Sequence, residues 1–278
     1  MIYRDMIKVP FELFKDDGNQ EVILPVYLYL CIGQDKCGNC RTTIADIMRN
    51  CGRAITTSKS TYDYAENIKD AFEYLQSIEF ITAVEKCGVS HENQDRDKIK
   101  LNDLIKISIN KNFPDLDMRC TILYVSDYPK LLQLAYDKNS GTANNSFWRC
   151  LVVYFNITVK IWGEFAKRKN AYDSGDSMLE IVQKYPEYYC ASISKLNEHI
   201  NFSEKTTRSI VKQLQDASVI HCVSPRASLG DDMRCIGSVY IRDTEYWKIE
   251  LEAAKKAAVE KYVDYVCGYH DNKNRKES

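Results

Sequence analysis

Two short stretches combine hydroxyls and cations at helical spacing, the chemistry that holds phosphate oxygens and reads base edges. Residues 47–62 carry Arg49, Arg53 and Lys59 with no acid among them, beside Thr57, Ser58 and Ser60. Residues 203–212 carry Ser203, Lys205, Thr206, Arg208, Ser209 and Lys212. Arginine and lysine make charge-assisted bonds to phosphate, and in the major groove to guanine, while the hydroxyls suit phosphate oxygens. Glu204 offsets part of the second group, but it falls in the first turn of the expected helix, where an acid stabilises the dipole by roughly 0.3–1 kcal/mol. Arg226 and Arg234 flank a loop whose appeal to DNA Asp231 and Asp232 weaken.

These side chains need elements to present them, and the chain supplies the same set twice. Residues 68–84 and 207–223 align without a gap, so that Leu75 matches Leu214, Gln76 matches Gln215, Ile81 matches Ile220 and Val84 matches Val223. In each copy a helical apolar face runs directly into a short apolar strand. Each copy also follows a shorter amphipathic helix and a polar turn, which is the order of a winged helix-turn-helix.

In the first copy, residues 22–33 read as an apolar helix, and Thr43 caps a short helix with Ile44, Ile47 and Met48 on one face. Gly52 ends that helix, and a long one follows to about Ser77, burying Ile68, Ala71, Phe72, Leu75 and Ile78. Strands at 80–86 and 99–109 would flank a charged wing tip at 91–98. In the second copy, residues 147–169 read as one helix, a short helix carries Ile193, Leu196 and Ile200, and Ser203 caps the next, with Ile210, Leu214 and Ala217 buried. Strands at 219–224 and 235–242 then enclose the loop 226–234, and a last helix runs from Thr244 to about Cys267.

The expected fold class is α+β and mostly helical, with two tandem winged helix-turn-helix domains. The first spans 1–136 with an extended N-terminal arm, and the second spans 137–270 with its C-terminal helix. A disordered tail, 271–278, closes the chain, and residues 137–146 read as the linker.

A chain of 278 residues with 45% hydrophobic and 28% charged content has the length and balance for two globular domains. The net charge of −1 gives no general attraction to nucleic acid, so affinity would have to come from local patches. Acids among the first residues and no apolar core to them argue against a secretory signal, and no apolar run is long enough to cross a bilayer. No membrane association and a cytoplasmic location are expected. Eleven cysteines, an odd number, fit a reducing compartment. Cys37-Gly38-Asn39-Cys40 has the spacing of half a zinc site or a redox motif, but no second pair stands at matched distance, and a Gly-Asn turn explains it. No metal or other cofactor is expected.

Signals for catalysis are sparse. The chain has no Gly-rich phosphate loop ending in Lys and Ser or Thr, no Gly-x-Ser-x-Gly and no histidines at paired metal spacing, and His91, His199, His221 and His270 stand apart in sequence. Asp115 with Asp117, and Asp231 with Asp232, would need further converging acids to hold a metal. The chain is expected not to be an enzyme.

The run 27–81, with the arm 9–14 before it, resembles the winged-helix domain of replication initiators from plasmids and mobile elements of Gram-positive bacteria, and of related phage replisome organisers. Asp35, Gly38, Thr43, Ile44, Cys51, Gly52, Leu75, Phe80 and Ile81 carry the likeness, which covers roughly residues 8–85. The departure is a longer stretch between Gly52 and Ile68 than in the second copy. The resemblance implies double-stranded DNA as partner, binding at repeated origin sequences, contact with replication proteins, and neither polymerase nor helicase activity. Transcriptional regulation on the same scaffold and a protein-docking module are the alternatives, and homodimer formation stays open.

Overall fold

The computed structural model describes residues 6–14, 20–88, 99–114, 118–134, 147–161, 163, 165–198, 200, 202–229 and 232–277. The chain is α+β, with more helix than strand, and divides into two compact units, Met1–Val152 and Val153–Ser278. The expected linker 137–146 and wing tip 91–98 lie outside the described residues.

In the first unit, β1 (Met6–Pro10) pairs antiparallel with β5 (Cys120–Tyr124), with Pro10 at the strand end, where its missing N–H costs no ladder bond. Helix α1 (Gln20–Gly33) is apolar nearly all round and forms the centre of the unit, burying Leu24, Val26, Tyr27 and Leu28. The Tyr27 hydroxyl donates to the Lys8 carbonyl at 2.6 Å, so α1 is tied to β1. Strand β2 (Asn39–Thr42) leads into α2 (Ile44–Asn50), where the Thr43 hydroxyl caps by accepting from the Asp46 N–H at 3.0 Å. Helix α3 (Lys59–Ser77) buries Ile68, Ala71, Phe72 and Leu75 of the face expected from its periodicity, and Tyr64 besides, while Ile78 is its C-cap and only half-buried. β3 (Ile81–Lys86) and β4 (Ile105–Ile109) complete a sheet ordered β2-β4-β3, all antiparallel. The short helix α4 (Asp127–Gln133) follows β5, and the Tyr128 hydroxyl on it donates to the Asn50 carbonyl at the end of α2.

Helix α5 (Phe147–Thr158) carries the boundary between the units. It stops at Thr158, so the single helix expected over 147–169 is broken. Helix α6 (Phe165–Asp173) starts afresh after Gly163, where a Cβ would meet Glu187 Cγ at 2.5 Å. Apolar patterning continues across the break, but the close approach at Gly163 and the β-branched pair Thr158-Val159 do not favour a continuous helix.

Four further elements of the second unit were not expected. Helix α7 (Met178–Lys184) opens on a capping box in which Ser177 and Glu180 each bond the other's backbone, followed by β6 (Tyr189–Ala191). The presumed loop 226–234 is itself an antiparallel pair, β8 (Arg226–Leu229) with β9 (Asp232–Cys235).

Between those lie α8 (Ile193–Asn197), α9 (Glu204–Asp216) and β7 (Ile220–Val223), and β10 (Ser238–Arg242) closes the sheet in the order β6-β10-β7. Val239 and Ile241 on β10 pack against Ala254 and Ala258 of α10 (Trp247–Glu277). His221 on β7 stacks on Trp247 at 3.6 Å, and its Nε2 lies 2.7 Å from Asp243 Oδ1, which joins the sheet to the start of α10. This helix continues through Glu277, past the expected end near Cys267. The polar stretch 271–277, expected as a disordered tail, belongs to this helix.

The sequence repeat appears in the backbone as a repeated corner. Glu79 (φ 62°) and Ser218 (φ 54°), at matching positions, are the non-glycine residues with positive φ among the described residues. In the first, Glu79 N–H donates to Gln76 O and Phe80 N–H to Leu75 O, both at 2.9 Å; in the second, Ser218 N–H donates to Gln215 O and Val219 N–H to Leu214 O. Both are helix stops of the Schellman type, each closed by a buried apolar pair, Leu75 with Phe80 and Leu214 with Val219.

Candidate nucleic-acid interface

In the second unit, α9 stands on α8 through Thr207, whose hydroxyl donates to Asn197 Oδ1 at 2.6 Å. Ile210, Val211 and Leu214 face inward, so the 3.6-residue period turns Lys205, Arg208, Ser209 and Lys212 outward together. All four are exposed and form one stripe. Ser203 and Thr206 serve the helix itself: the Ser203 oxygen accepts from the Thr206 N–H at 3.1 Å, and the two hydroxyls share a bond at 2.9 Å. Glu204 is the one carboxylate in the first turn. It accepts from the Ser194 hydroxyl of α8 at 2.9 Å and from Arg208 at 3.3 Å, and these two bonds, Ser194 first, hold its carboxyl below the usual range. An exposed i,i+4 pair of this kind is weak, so a phosphate can displace Glu204 from Arg208 at little cost.

Two further lysines, not singled out in the sequence, lie at or near α8. Lys195 is exposed on α8, and Lys160 lies after α5, its ammonium 5.6 Å from the centre of the Tyr189 ring. Burial, more than any neighbour, pulls the Lys160 pKa down, with Glu198 opposing and Lys195 adding to it. Ser192 caps α8 through the Lys195 N–H, and the Ser-x-x-Lys spacing was the available signal. Arg226 and Arg234 are both exposed on the β8–β9 pair, on opposite faces of it, since they occupy alternating register positions.

The first unit does not bring its expected residues together in the same way. Arg53 is turned inward, ion-paired with Glu21, with its guanidinium 4.5 Å over the Tyr64 ring and its side chain 22% exposed. It fastens the turn before α3 to the start of α1, so its guanidinium is engaged within the unit. Arg49 is exposed but paired with Asp46 at 2.6 Å. Ser58 and Ser60 share a hydrogen bond at 2.8 Å, and Ser58 bonds Thr56 at 2.6 Å, so these hydroxyls organise the entry to α3. Thr57 and Lys59 remain exposed at that end.

Beyond its first turn, the outer surface of α3 is acidic. Asp63, Glu66, Asp70 and Glu73 are exposed, while Lys69 is mostly covered and paired with Glu66 at 3.0 Å. The helical period carries the face of Lys59 straight into Asp63, Glu66 and Asp70. The local positive charge of residues 47–62 therefore does not extend along the helix.

Replacing Arg53 by Ala should lower the stability of the first unit by about 1–2 kcal/mol, the sum of a partly desolvated cation–π contact and one ion pair. It should leave duplex affinity unchanged. Thermal unfolding and fluorescence anisotropy read the two effects separately, and a weakened complex with unaltered stability would return Arg53 to the interface.

Cys37-Gly38-Asn39-Cys40 forms the turn into β2. Asp35 Oδ1 accepts from the N–H groups of Asn39 and Cys37, at 2.9 and 2.7 Å, and these bonds lower its pKa. Cys40 is buried beneath Gly33, where burial pushes its thiol up to about 11, while Cys37 is exposed. Among the described residues, no group of three or more His, Cys, Asp or Glu side chains is arranged to hold a metal ion. No helix among them is long and apolar enough to cross a membrane. No protein-family model matches the chain, and neither curated proteins nor solved structures give a match.

Proposed function

We propose that the chain is a non-catalytic, double-stranded-DNA-binding protein made of tandem winged helix-turn-helix units, with the second unit as its main duplex-binding surface. The order helix, strand, helix, helix, strand, strand in the first unit, and the same order in the second with the β8–β9 pair set between its last two strands, supports the architecture, as do sheets ordered β2-β4-β3 and β6-β10-β7. The observation that carries the function is the stripe Lys205, Arg208, Ser209 and Lys212 on the outer face of α9, the second helix of its helix-turn-helix pair. A helix in that position enters the major groove by its N-terminal half, with neighbouring cations on phosphates. Lys195 of α8 and Arg226 of β8 extend the footprint.

The test is a salt titration of binding to a labelled duplex. With about six phosphates neutralised, the logarithm of affinity should fall against log salt with a slope near −5. Binding that is absent, or flat across salt, would overturn the reading.

The biological role we favour is replication initiation on a plasmid or mobile element, in the cytoplasm, with replication proteins as further partners and a homodimer as one way to span repeated sites. The resemblance of residues 8–85 supports this role over transcriptional regulation. Direct repeats beside the gene would fit an origin, and an inverted repeat at a promoter would fit a repressor. A second reading applies to the first unit. Its acidic α3 surface opposes a duplex and favours protein docking by that unit.

A further inference from the structure

The β8–β9 pair extends a longer ribbon. β7 and β10 pair as far as Val223 with Val239, the Ile236 N–H donates to the Pro225 carbonyl at 3.3 Å, and the ladder resumes at Arg226 with Cys235. Gly237 sets the bend between the two halves. Its φ is +109°, and a Cβ there would lie 2.9 Å from the Ala191 carbonyl carbon. The ribbon is thus aimed by backbone packed against the end of β6.

Its two faces differ. Ala227 is fully buried on the side that α10 covers. On the open side, Arg226 faces Cys235 across the ladder and Ser228 faces Met233, and all four are exposed. A single apolar residue at a surface is ordinary. Met233 differs in its place: it is 62% exposed one rung from the outer end of a two-stranded ribbon, beside Asp232, opposite Ser228 and on the same face as Arg226. Two-stranded ribbons enter DNA by the major or the minor groove, and an unbranched apolar side chain near the tip is of the kind that enters between base pairs from the minor groove and kinks the duplex.

Resting on the duplex-binding reading above, we propose that this ribbon is a minor-groove wedge, with Met233 the residue that opens a base step and Arg226 the cation that holds the adjacent backbone. The wedge would favour flexible pyrimidine–purine steps, so part of the site preference would come from deformability at bases that α9 does not touch.

The test uses the full chain and a short duplex, enriched by the wild type from a randomised pool and labelled at both ends. Energy transfer between the ends should report a bend within the range of about 20–90° in the wild-type complex. Met233→Ser should abolish that bend while leaving the salt slope unchanged, because no charge is removed, and Met233→Leu should keep it. A wild-type complex with straight DNA, or a Met233→Ser complex bent as much as the wild type, would overturn the wedge alone, with duplex binding intact. Failure of the wild type to enrich or bind any duplex would instead sink the DNA reading, and the wedge with it.

Discussion

Glu250→Ala should destabilise the second unit by roughly 3–5 kcal/mol, the cost of leaving a buried charge without its partner. Glu250 is 3% exposed and accepts from the Glu187 N–H at 3.0 Å and from Arg168 Nη1 at 3.1 Å. Arg168 in turn donates to the Tyr185 carbonyl at 2.8 Å and lies 3.4 Å from the Glu187 carboxylate. One carboxylate on α10 therefore joins α6, the end of α7 and the approach to β6 through a guanidinium that is only 15% exposed. Removal strands that guanidinium and the Glu187 N–H together, and the remaining pair with Glu187 sets the loss toward the lower end of the range. Urea unfolding followed by circular dichroism checks it: the midpoint should fall with little change in slope. Glu250→Gln, which keeps hydrogen-bonding capacity without the charge, should lose less. A midpoint equal to wild type for Glu250→Ala would show that the network contributes nothing.

The second large effect concerns the α9 stripe. Replacing Lys205, Arg208 and Lys212 together by Ala should weaken duplex binding roughly a hundredfold, at about 1 kcal/mol for each exposed charge-assisted contact. The salt slope should become shallower by about 3, one for each cation lost. Stability should hardly change, since these side chains are exposed and Arg208 gives up only its weak pair with Glu204. The control is Lys255→Ala with Lys256→Ala on α10, whose ammonium groups pair with Glu252 and Glu260. Equal losses from the two sets, read by anisotropy across a salt series, would show that α9 does not lie on the duplex.

Helices α3 and α9 were legible because their apolar periods are long enough to count. The buried face of α3, the Thr43 and Ser203 caps and the helix-to-strand corners all follow from residue types at fixed spacing. Shorter pieces escaped for the opposite reason. β6, β8 and β9 have three or four residues each, too few for an alternation to stand out from a loop. The Ser177 and Glu180 capping box was visible and marks α7, yet the surrounding sequence has little apolar periodicity to draw attention to it. The fate of Arg53 could not be read locally, because its partner Glu21 lies 32 residues away and nothing in the spacing links them. The acidity of α3 could: a charge count that stops at Tyr62 misses Asp63, although one more turn of the same helix exposes it.

The left-handed corners at Glu79 and Ser218 rest on main-chain bonds and one apolar pair apiece, and neither asks for glycine or for any particular side chain on the helix surface before it. Frame and surface are thereby uncoupled, so the outer residues of α3 and α9 can drift while the scaffold persists. A chain with one cationic copy and one acidic copy is what such freedom produces, and under the function proposed above it would amount to a division of labour, with one half anchoring on a polyanion and the other recruiting something else.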